Sequence, residues 1–230
     1  MKKPRIMFVP ADANNEQFFQ QFQNSLRKFH SPEELPLMRF DNPNPADKDY
    51  FYRAKPIIAQ KLIEEYEVVI GADCDQVVCG SLEELWATDE FDVAVVHNDP
   101  SYPLNVWDID PTRYANNGIV VLKSKEFIDH WHKLCFSPHF NNYQFREQDL
   151  LNILISDYHN YNVKYLEEDN IYGESAKPLW AQATLEGDKI MIKEKELKII
   201  HFGGGNDPNK GNFQIRFQPE VVERIKWLIK

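Results

Sequence analysis

Two aspartates separated by one residue stand at the end of an apolar run and are the first candidates for chemistry. Asp73 and Asp75 follow Val68-Val69-Ile70, which has the composition of a buried strand. In an extended segment, side chains two residues apart point the same way and lie about 6.5 Å apart, so both carboxylates can reach one cation. Mg²⁺ and Mn²⁺ accept carboxylate oxygens together with phosphate oxygens. The pattern predicts a divalent-metal site, although two solvated acids in a turn fit the same spacing.

A histidine near the end of the chain is a second candidate ligand. His201 ends the apolar run at 197–200, and Gly203, Gly204 and Gly205 follow it. A neutral imidazole can complete a coordination sphere of mixed nitrogen and oxygen ligands. Glycines let the backbone approach a ligand closely and can present amide groups to phosphate. His201 is therefore a candidate metal ligand, with a structural histidine before a flexible glycine loop as the alternative.

The elements that must position these residues alternate between strands and helices over the first 160 residues. Apolar runs predict strands at 6–9, 37–40, 67–71, 92–97 and 119–122, and a hairpin at 189–193 and 197–201. Amphipathic spacing predicts helices at 18–29, 57–66, 124–134 and 148–158, and Pro219 opens a C-terminal one. This alternation predicts an α/β fold with a mostly parallel, mixed sheet and helices on both faces, in a single domain over 1–230. Ligands of such sheets bind at the carboxyl ends of the strands, where Asp73 and Asp75 lie.

Composition and charge narrow the classes of function. The 230 residues carry 26 Lys and Arg against 36 Asp and Glu, a formal charge of −10, and no basic run. Lys and Arg bind phosphate backbones, so this balance argues against a nucleic-acid partner. A phosphate-bearing ligand is compatible with the charge when a divalent cation lies between the two. The three cysteines lack zinc-site spacing and predict reduced thiols in a cytoplasmic protein, and no apolar run reaches the roughly 18 residues of a membrane span.

Three further features have both a functional and a structural interpretation. The loop between Trp107 and Arg113 could shape an acceptor site or be an ordinary surface loop. Trp180 could stack on an acceptor sugar or pack in the core. The C-terminal helix has one apolar face with Lys and Arg beside it, formed by Val221, Val222, Ile225, Leu228 and Ile229. That face could make a peripheral contact with an anionic membrane, although docking on the domain is the commoner use of a single stripe.

Several segments, taken in order, resemble the GT-A glycosyltransferases, and glycosyltransferase family 8 in particular. Asp73-Cys74-Asp75 with Gly80 to Trp86 resembles the metal-binding DxD segment of that family. Ala11 to Asn14 resembles the loop after its first strand, and Tyr52-Arg53-Ala54-Lys55 resembles its Arg-containing helix start. Tyr114 to Ile119 resembles its F-N-[AS]-G-V strand, and Glu147 to Asn152 resembles its D-Q-D-x-L-N helix start. His201 to Gly204 resembles its H-F-x-G motif. Together the segments run from position 6 to about 210.

The resemblance implies metal-dependent transfer of a hexose from a UDP-sugar to a glycan or other hydroxyl acceptor, with retention of configuration. It implies Asp73, Asp75 and His201 as ligands of Mn²⁺ or Mg²⁺, with the metal bridging the donor diphosphate. The other matched positions are implied to bind the donor. Asp12 and Asn14 are implied to contact the nucleoside, and Arg53 to hold the sugar or to pair with Asp73. The sugar pocket is implied to contain Asn116, Glu147 and Gln148, and the phosphates to contact Gly204 and Lys210.

Glu147 and Gln148 are the catalytic residues that the resemblance offers, and Glu147 stands where the family has Asp. Glu147 is a candidate nucleophile, and attack by the acceptor on the donor's own face is the alternative. The terminal motif also departs, because Gly205 to Pro208 replaces the family's Lys-Pro-Trp and the lysine is displaced to Lys210. Two other classes compete: a non-catalytic nucleotide-sugar-binding protein of the same fold, and a sugar nucleotidyltransferase. The segment 11–15 argues against the nucleotidyltransferase because it carries neither Gly nor Lys.

Overall fold

The computed structural model describes residues 1–43, 47, 49–87, 90–98, 109, 111–156, 160–167, 170–202 and 217–230. Its strands in these ranges are β1 Lys3–Pro10, β2 Leu37–Phe40, β3 Tyr66–Ala72, β4 Gln76–Val78, β5 Val93–His97, β6 Ala115–Leu122, β7 Val163–Tyr165, β8 Asn170–Tyr172, β9 Ala183–Glu186, β10 Lys189–Ile192 and β11 Lys195–His201. Its α-helices are α1 Glu16–Arg27, α2 Tyr50–Leu62, α3 Lys125–Cys135, α4 Glu147–Ile155 and α5 Pro219–Leu228.

The central sheet has six strands in the order β2-β1-β3-β6-β5-β7. The pairs β1 with β2, β1 with β3 and β5 with β7 are parallel, whereas β6 is antiparallel to both β3 and β5. The predicted mostly parallel, mixed sheet is therefore confirmed. Strands β1 and β3 end side by side at Pro10 and Ala72, so the segments that follow them meet at one edge.

Helices cover both faces of this sheet, as predicted. Successive residues of β1 point to opposite faces, since Ile6 and Phe8 join one buried cluster while Met7 and Val9 join another. The first cluster packs against α2, α3 and α4, and the second packs against α1. Strands buried on both faces are apolar without alternation, which explains the continuous apolar runs in the sequence.

Helix α2 begins seven residues before the predicted start and has Pro56 in its interior. Proline has no amide hydrogen to bond the preceding turn, so a proline inside a helix opposes the sequence preference. The apolar stripe of α2 holds the helix in place, because Ala54, Ile58, Ala59 and Leu62 are all buried against the sheet. The extra turns place Tyr52, Arg53 and Lys55 within the helix, where the resemblance of this segment to a helix start also puts them.

A second sheet has the order β4-β11-β10-β9, and β8 pairs with β11. The predicted hairpin is confirmed as β10 and β11, which are antiparallel. Strand β4 pairs with β11, so that Gln76 lies opposite His201. This pairing places the end of β11 next to the segment that follows β3.

Helix α5 closes the outer side of the second sheet. Its apolar face, Val221, Val222, Ile225 and Leu228, is at most 4% exposed and packs with residues of β4 and β11. Docking of this face on the domain is thereby confirmed over the membrane alternative. Within the described residues, no helix combines the length and the apolar character that crossing a membrane requires.

Candidate active site

A cleft of about 430 Å³ lies where β1 and β3 end. Part of its lining is aromatic and comes from the first turns of α1 and α2, namely Phe18, Phe51 and Tyr52. Another part carries charge, namely Lys55, Asp73, Asp75 and Glu147, and Pro10, Asn15 and Cys74 complete it. The cleft therefore combines flat apolar rings with groups that can bind a cation or a polar ligand.

Asp73, Asp75 and His201 converge at this cleft, as the sequence predicts. The His201 Nε2 atom lies 3.5 Å from Asp73 Oδ2 and 3.2 Å from Asp75 Oδ1. One ligand atom from each of the three residues lies within 4.8 Å of the others. Two carboxylates and one imidazole form a donor set that suits Mn²⁺ and accepts Mg²⁺. The residues present thus fit a divalent metal.

Backbone contacts fix these three ligands. The Asp73 amide donates to the Gly118 carbonyl of β6 at 2.9 Å, which continues the ladder between β3 and β6 past the end of β3. The Phe202 amide donates to the Asp75 carbonyl at 3.1 Å, which continues the pairing of β4 with β11. Gly118 leaves room for the imidazole, because a Cβ at this position would overlap the His201 ring. A glycine in β6 is therefore part of the cradle that holds His201.

Lys55 is a site residue that the sequence analysis missed. Its Nζ atom lies 2.7 Å from Asp73 Oδ1 and also donates to the Asn117 carbonyl, and the residue is 4% exposed. A buried lysine of this kind is retained where it is paired. The spacing of residues in the sequence indicates this position: Lys55 precedes the buried residues Ile58, Ala59 and Leu62 by three, four and seven residues, so it lies on the same face of the helix.

The expected pairing of Arg53 with Asp73 is replaced by the pairing of Lys55. Residues two apart on a helix point about 200° apart, so Arg53 and Lys55 cannot share one side. The Arg53 Nε atom donates to the Cys135 carbonyl at 3.0 Å, at the end of α3. Its guanidinium lies over the rings of Phe136 and Phe140. Arg53 therefore packs on the outer side of α2 and is absent from the cleft lining.

Glu147 begins α4 and is one of the residues that line the cleft. Its Oε1 atom accepts a hydrogen bond from Asn117 Nδ2 at 3.1 Å, and its Oε2 atom is buried with no hydrogen-bond partner among the described residues. Burial raises the pKa of the Glu147 carboxyl to about 8, against the opposing influence of Lys55 and Asn117. The Trp131 indole N–H donates to the Glu147 carbonyl at 2.9 Å and fixes the backbone. Glu147 is thus held by protein contacts at Oε1 and at its carbonyl, and its Oε2 atom is left buried and unsatisfied.

Gln148 lies behind the cleft lining and is 8% exposed. Its Oε1 atom accepts from the Asn117 amide at 3.0 Å, and its Nε2 atom donates to the Tyr114 hydroxyl at 3.3 Å. The Tyr114 hydroxyl in turn donates to Asp149, and burial raises the pKa of both groups. In this structure both ends of the Gln148 amide are bound to protein.

Asn116 is likewise engaged with protein groups. Its Oδ1 atom accepts from the Gly118 amide at 2.7 Å, and its Nδ2 atom donates to Asn98 Oδ1 at 3.2 Å. The residue is 6% exposed and does not line the cleft. Its neighbour Asn117, which bonds Glu147, is the asparagine that contacts a cleft residue directly.

The predicted nucleoside contacts occupy the loop after β1. Asp12 caps the short 3₁₀ turn Ala13–Asn15, and its carboxylate accepts from the amides of Asn14 at 2.9 Å and Asn15 at 3.2 Å. Asn14 is exposed, whereas Asn15 lines the cleft. The structure therefore brings Asn15 and Phe18 to the cleft, with Asp12 supporting them from behind.

The remaining predictions fall on other parts of the chain. Trp180 is 2% exposed, stacks on Phe217 at 5.1 Å between ring centres and meets Phe202 edge-on at 6.1 Å, so it is a packed tryptophan. Gly204 and Lys210 lie outside the described residues, as does most of the loop between Trp107 and Arg113. The three cysteines are all unpaired thiols.

Comparison with known proteins identifies the fold. No protein-family model and no curated protein matches the sequence. LgtC, a galactosyltransferase solved with donor and acceptor sugar analogs, is similar with a TM-score of 0.66 at 15% identity, over 97% of this chain and 95% of LgtC. The bifunctional glycosyltransferase WbbM has a TM-score of 0.66 at 16% identity, over 100% of this chain and 50% of WbbM. GlyE of Streptococcus pneumoniae TIGR4 has a TM-score of 0.61 at 15% identity, over 100% of this chain and 60% of GlyE.

What these structures share with the chain is the fold, at low sequence identity. The chain spans half the length of WbbM and nearly all of LgtC. The mixed sheet, the cleft at its strand ends and the matches to LgtC, WbbM and GlyE together show that this chain has the fold of the GT-A glycosyltransferases.

Proposed function

We propose that this protein is a metal-dependent glycosyltransferase that moves a hexose from a UDP-sugar to a hydroxyl group of a glycan or other acceptor, with retention of configuration. One observation carries the proposal, which is the convergence of Asp73, Asp75 and His201 beside a strand-end cleft. The likeness of fold to LgtC, which was solved with donor and acceptor sugar analogs, supports it. In a chain with a formal charge of −10, a cation between the two acidic side chains and a diphosphate would offset their repulsion, and this cluster offers ligands for one.

Asp73, Asp75 and His201 would hold Mn²⁺ or Mg²⁺. When bound, the metal supplies positive charge that offsets the negative charge developing on the departing diphosphate. Lys55 fixes Asp73 Oδ1, which leaves Oδ2 on the side of His201. Lys55 also brings a buried positive charge to the same end of the cleft.

The transfer breaks the bond from the anomeric carbon to the diphosphate and forms a bond from that carbon to the acceptor oxygen. The acceptor hydroxyl loses its proton, and UDP departs. Retention follows if Glu147 attacks first and the acceptor then displaces it, or if the acceptor attacks from the face that UDP leaves. Glu147 lines the cleft and has a buried Oε2 atom without a protein partner, which supports a place for it beside the sugar in either route.

The other donor contacts are assigned by position. Asn15 and Phe18, near the end of β1, are placed to meet the nucleoside, and Asp12 holds the turn that presents Asn15. Gln148 and Asn116 support the sugar pocket through Asn117 and Gly118. Gly204 and Lys210 stay predicted phosphate contacts, and Asn14 stays a predicted nucleoside contact. A cytoplasmic location stays part of the proposal, and three cysteines that are not paired with one another are compatible with it.

A thermal-shift experiment tests the donor site directly. UDP, GDP and CDP are each added with and without Mn²⁺, because a ligand that binds only the native state raises the melting temperature. We expect UDP to stabilise the protein only when Mn²⁺ is present, and we expect Asp75→Ala to abolish this shift. Asp188→Ala is the matched control, because Asp188 has a 90% exposed side chain outside the cleft.

Turnover separates catalysis from binding alone. A panel of UDP-sugars with Mn²⁺ is expected to release UDP, slowly to water and faster with an acceptor. Binding of UDP without release from any UDP-sugar would favour the non-catalytic alternative. A wild type that no nucleotide stabilises in the presence of Mn²⁺ would contradict the proposal and leave only the fold.

A further inference from the structure

The longest stretch of this acidic chain without an acidic residue is 130–146, and the stretch 17–32 is one residue shorter. Residues 130–146 include neither Asp nor Glu, although the whole chain has 36 of them in 230 residues. The same stretch carries Lys133, Arg146 and three of the seven histidines. It also holds five aromatic residues, Trp131, Phe136, Phe140, Tyr143 and Phe145. A surface whose charge is opposite to that of the rest of the protein favours a partner of negative charge.

Aromatic rings and guanidinium groups alternate where this stretch meets α2. The Arg53 guanidinium carbon lies 5.2 Å from the centre of the Phe136 ring and 4.1 Å from that of Phe140. The Arg146 guanidinium carbon lies 5.5 Å from the centre of the Phe140 ring and 4.5 Å from that of Tyr52. We call the set Phe136, Arg53, Phe140, Arg146 and Tyr52 the aromatic-arginine row.

The row connects the cleft with the outer surface. Its two end rings are exposed, with 53% of Phe136 and 45% of Tyr52 accessible. Tyr52 also lines the cleft. A molecule lying along the row would therefore have one end beside the candidate active site. Large exposed rings of this kind present a flat apolar face to a ligand at little cost in conformational entropy.

The two arginines of the row differ in how their charge is balanced. Arg146 forms an ion pair with the Asp49 carboxylate. Arg53 donates from Nε to the Cys135 carbonyl, and its two terminal nitrogens form neither a hydrogen bond nor an ion pair within the part of the chain that the structure describes. The Arg53 side chain is half-buried, and its two terminal nitrogens keep some contact with solvent. Arg53 thus presents a planar pair of donors that matches a carboxylate or a phosphate group.

We propose that the aromatic-arginine row binds the acceptor, and that the acceptor is an anionic saccharide whose carboxylate or phosphate group pairs with Arg53. The apolar faces of the sugar rings lie on Phe136 and Tyr52, and the position of Tyr52 brings one end of the saccharide to the cleft. The inference rests on the proposed function for the chemistry in the cleft. Its charge preference can be measured without turnover.

Calorimetric titration of the full chain with paired probes tests this preference. Hyaluronan tetrasaccharide carries carboxylates and is compared with neutral chitotetraose, and glucose 6-phosphate is compared with glucose. We expect the wild type to bind at least one anionic probe about tenfold or more tightly than its neutral counterpart, because charge-assisted hydrogen bonds are the strong ones. The preference should weaken as salt concentration rises.

Three variants locate the binding. Arg53→Gln should remove the preference for the anionic probe, and Phe136→Ser should weaken the anionic probe that the wild type binds by about threefold to tenfold. Phe136 is half exposed, so its replacement tests the row even if Arg53→Gln folds poorly. Lys125→Gln is the matched control, because it removes one cation from the other end of α3 and should leave the preference intact.

The outcomes that would overturn the proposal are distinct from failure of the proposed function. Equal affinity for anionic and neutral probes, binding of no probe, or a preference that survives in Arg53→Gln each contradicts the row as an anionic-saccharide site. A thermal shift with UDP and Mn²⁺ is recorded on the same samples. A wild type that binds an anionic probe but no nucleotide contradicts the proposed function alone, and the reverse result contradicts the row alone.

Discussion

Two polar regions meet at the cleft, and they differ in where their side chains direct their polar atoms. At the ends of β3 and β11, Asp73, Asp75 and His201 turn one ligand atom each toward a common point. Between β6 and α4, Gln148 and Asn116 direct theirs to backbone amides and to other side chains. The first region has the geometry that a metal ion would need, and the second holds the backbone that surrounds it.

The difference shows that residue type alone does not assign a role at a strand-end site. Gln148 and Glu147 are adjacent on α4, yet Gln148 is bonded to protein at both ends while Glu147 has one buried oxygen without a partner. That unsatisfied oxygen distinguishes Glu147 from the fully bonded residues of this segment. Replacing residues of the two regions should therefore affect function and stability in different proportions.

The largest expected effect is the loss of turnover when either aspartate is replaced, and a difference in stability should separate the two. Asp73→Asn and Asp75→Asn should each lower UDP-sugar turnover by about a thousandfold or more, because each removes a carboxylate from the metal site. Asp73→Asn also leaves the buried Lys55 without its carboxylate, so its free energy of unfolding should fall by about 1–3 kcal/mol, since the pair is partly exposed. Urea unfolding without metal, beside a turnover assay, measures both quantities. An equal loss of stability in Asp75→Asn would show that the pair with Lys55 contributes nothing.

Gly118→Ala should damage the ligand-binding region through its framework. The added Cβ would overlap the His201 imidazole, so the ring must move away from Asp73 and Asp75. We expect Mn²⁺ affinity to weaken by about tenfold to a hundredfold, which is typical when the support of a metal ligand is disturbed. Titration of Mn²⁺ followed by calorimetry or by the UDP thermal shift measures the change.

Gly71→Ala is the matched control for Gly118→Ala. A Cβ at position 71 would meet the Phe8 ring at 2.9 Å, so both substitutions should lower stability by overpacking, by about 1–3 kcal/mol. Only Gly118→Ala should change the affinity for Mn²⁺. Equal weakening in both variants would mean that general destabilisation, and not displacement of His201, lowers metal binding.

The pH dependence of the free energy of unfolding should report the titration of the Glu147 carboxyl. Its pKa is raised by burial to about 8 in the folded, metal-free protein, whereas the unfolded chain has an ordinary carboxyl near 4.5. Between these values the unfolded state releases a proton that the folded state retains, so folding stability falls as pH rises from about 4.5 to about 8. Glu147→Gln should lack this contribution and should be more stable than the wild type at pH 8, by about 2–4 kcal/mol.

The difference between the two proteins should vanish at pH 4, where Glu147 is protonated in both states. Urea unfolding in the presence of a chelator, at several pH values, gives the comparison. Glu147→Gln should also lose turnover, so stability and activity would change in opposite directions. A constant difference across the pH range would show that the carboxyl titrates normally.

Much of the fold could be predicted from the sequence because buried strands and amphipathic helices leave periodic patterns. The runs at 6–9 and 67–71 correspond to β1 and β3, and the hairpin corresponds to β10 and β11. Strands β4 and β8 have three residues each, which is too short for a period to show. The second sheet therefore emerges only when β4 pairs with β11, a contact between residues more than 120 positions apart.

The grouping of the candidate metal ligands can be predicted from the sequence, and the side chains that support them less so. Asp73, Asp75 and His201 are chemically distinctive and stand at strand ends, and the structure brings them together; their role as metal ligands stays a prediction. The motif points to Arg53 and not to Lys55, because a motif records the order of residues and not the side of the helix they face. Hydrogen bonds such as those of Gln148 depend on packing between β6 and α4, which no local pattern contains.

The smallest expected effect concerns the loop after β1, where sequence and structure suggest different roles for one carboxylate. Asp12→Ala removes the cap of the turn Ala13–Asn15, so the free energy of unfolding should fall by about 1 kcal/mol. UDP affinity should stay within about twofold of the wild type, because the Asp12 carboxylate already accepts the amides of Asn14 and Asn15. Asn15→Ala, in contrast, should weaken UDP while leaving the cap in place, since Asn15 lines the cleft. The opposite pattern, in which Asp12→Ala loses affinity for UDP and Asn15→Ala keeps it, would show that Asp12 contacts the ligand. The loop after β1 would then resemble the end of β3, where carboxylates are proposed to bind the ligand directly.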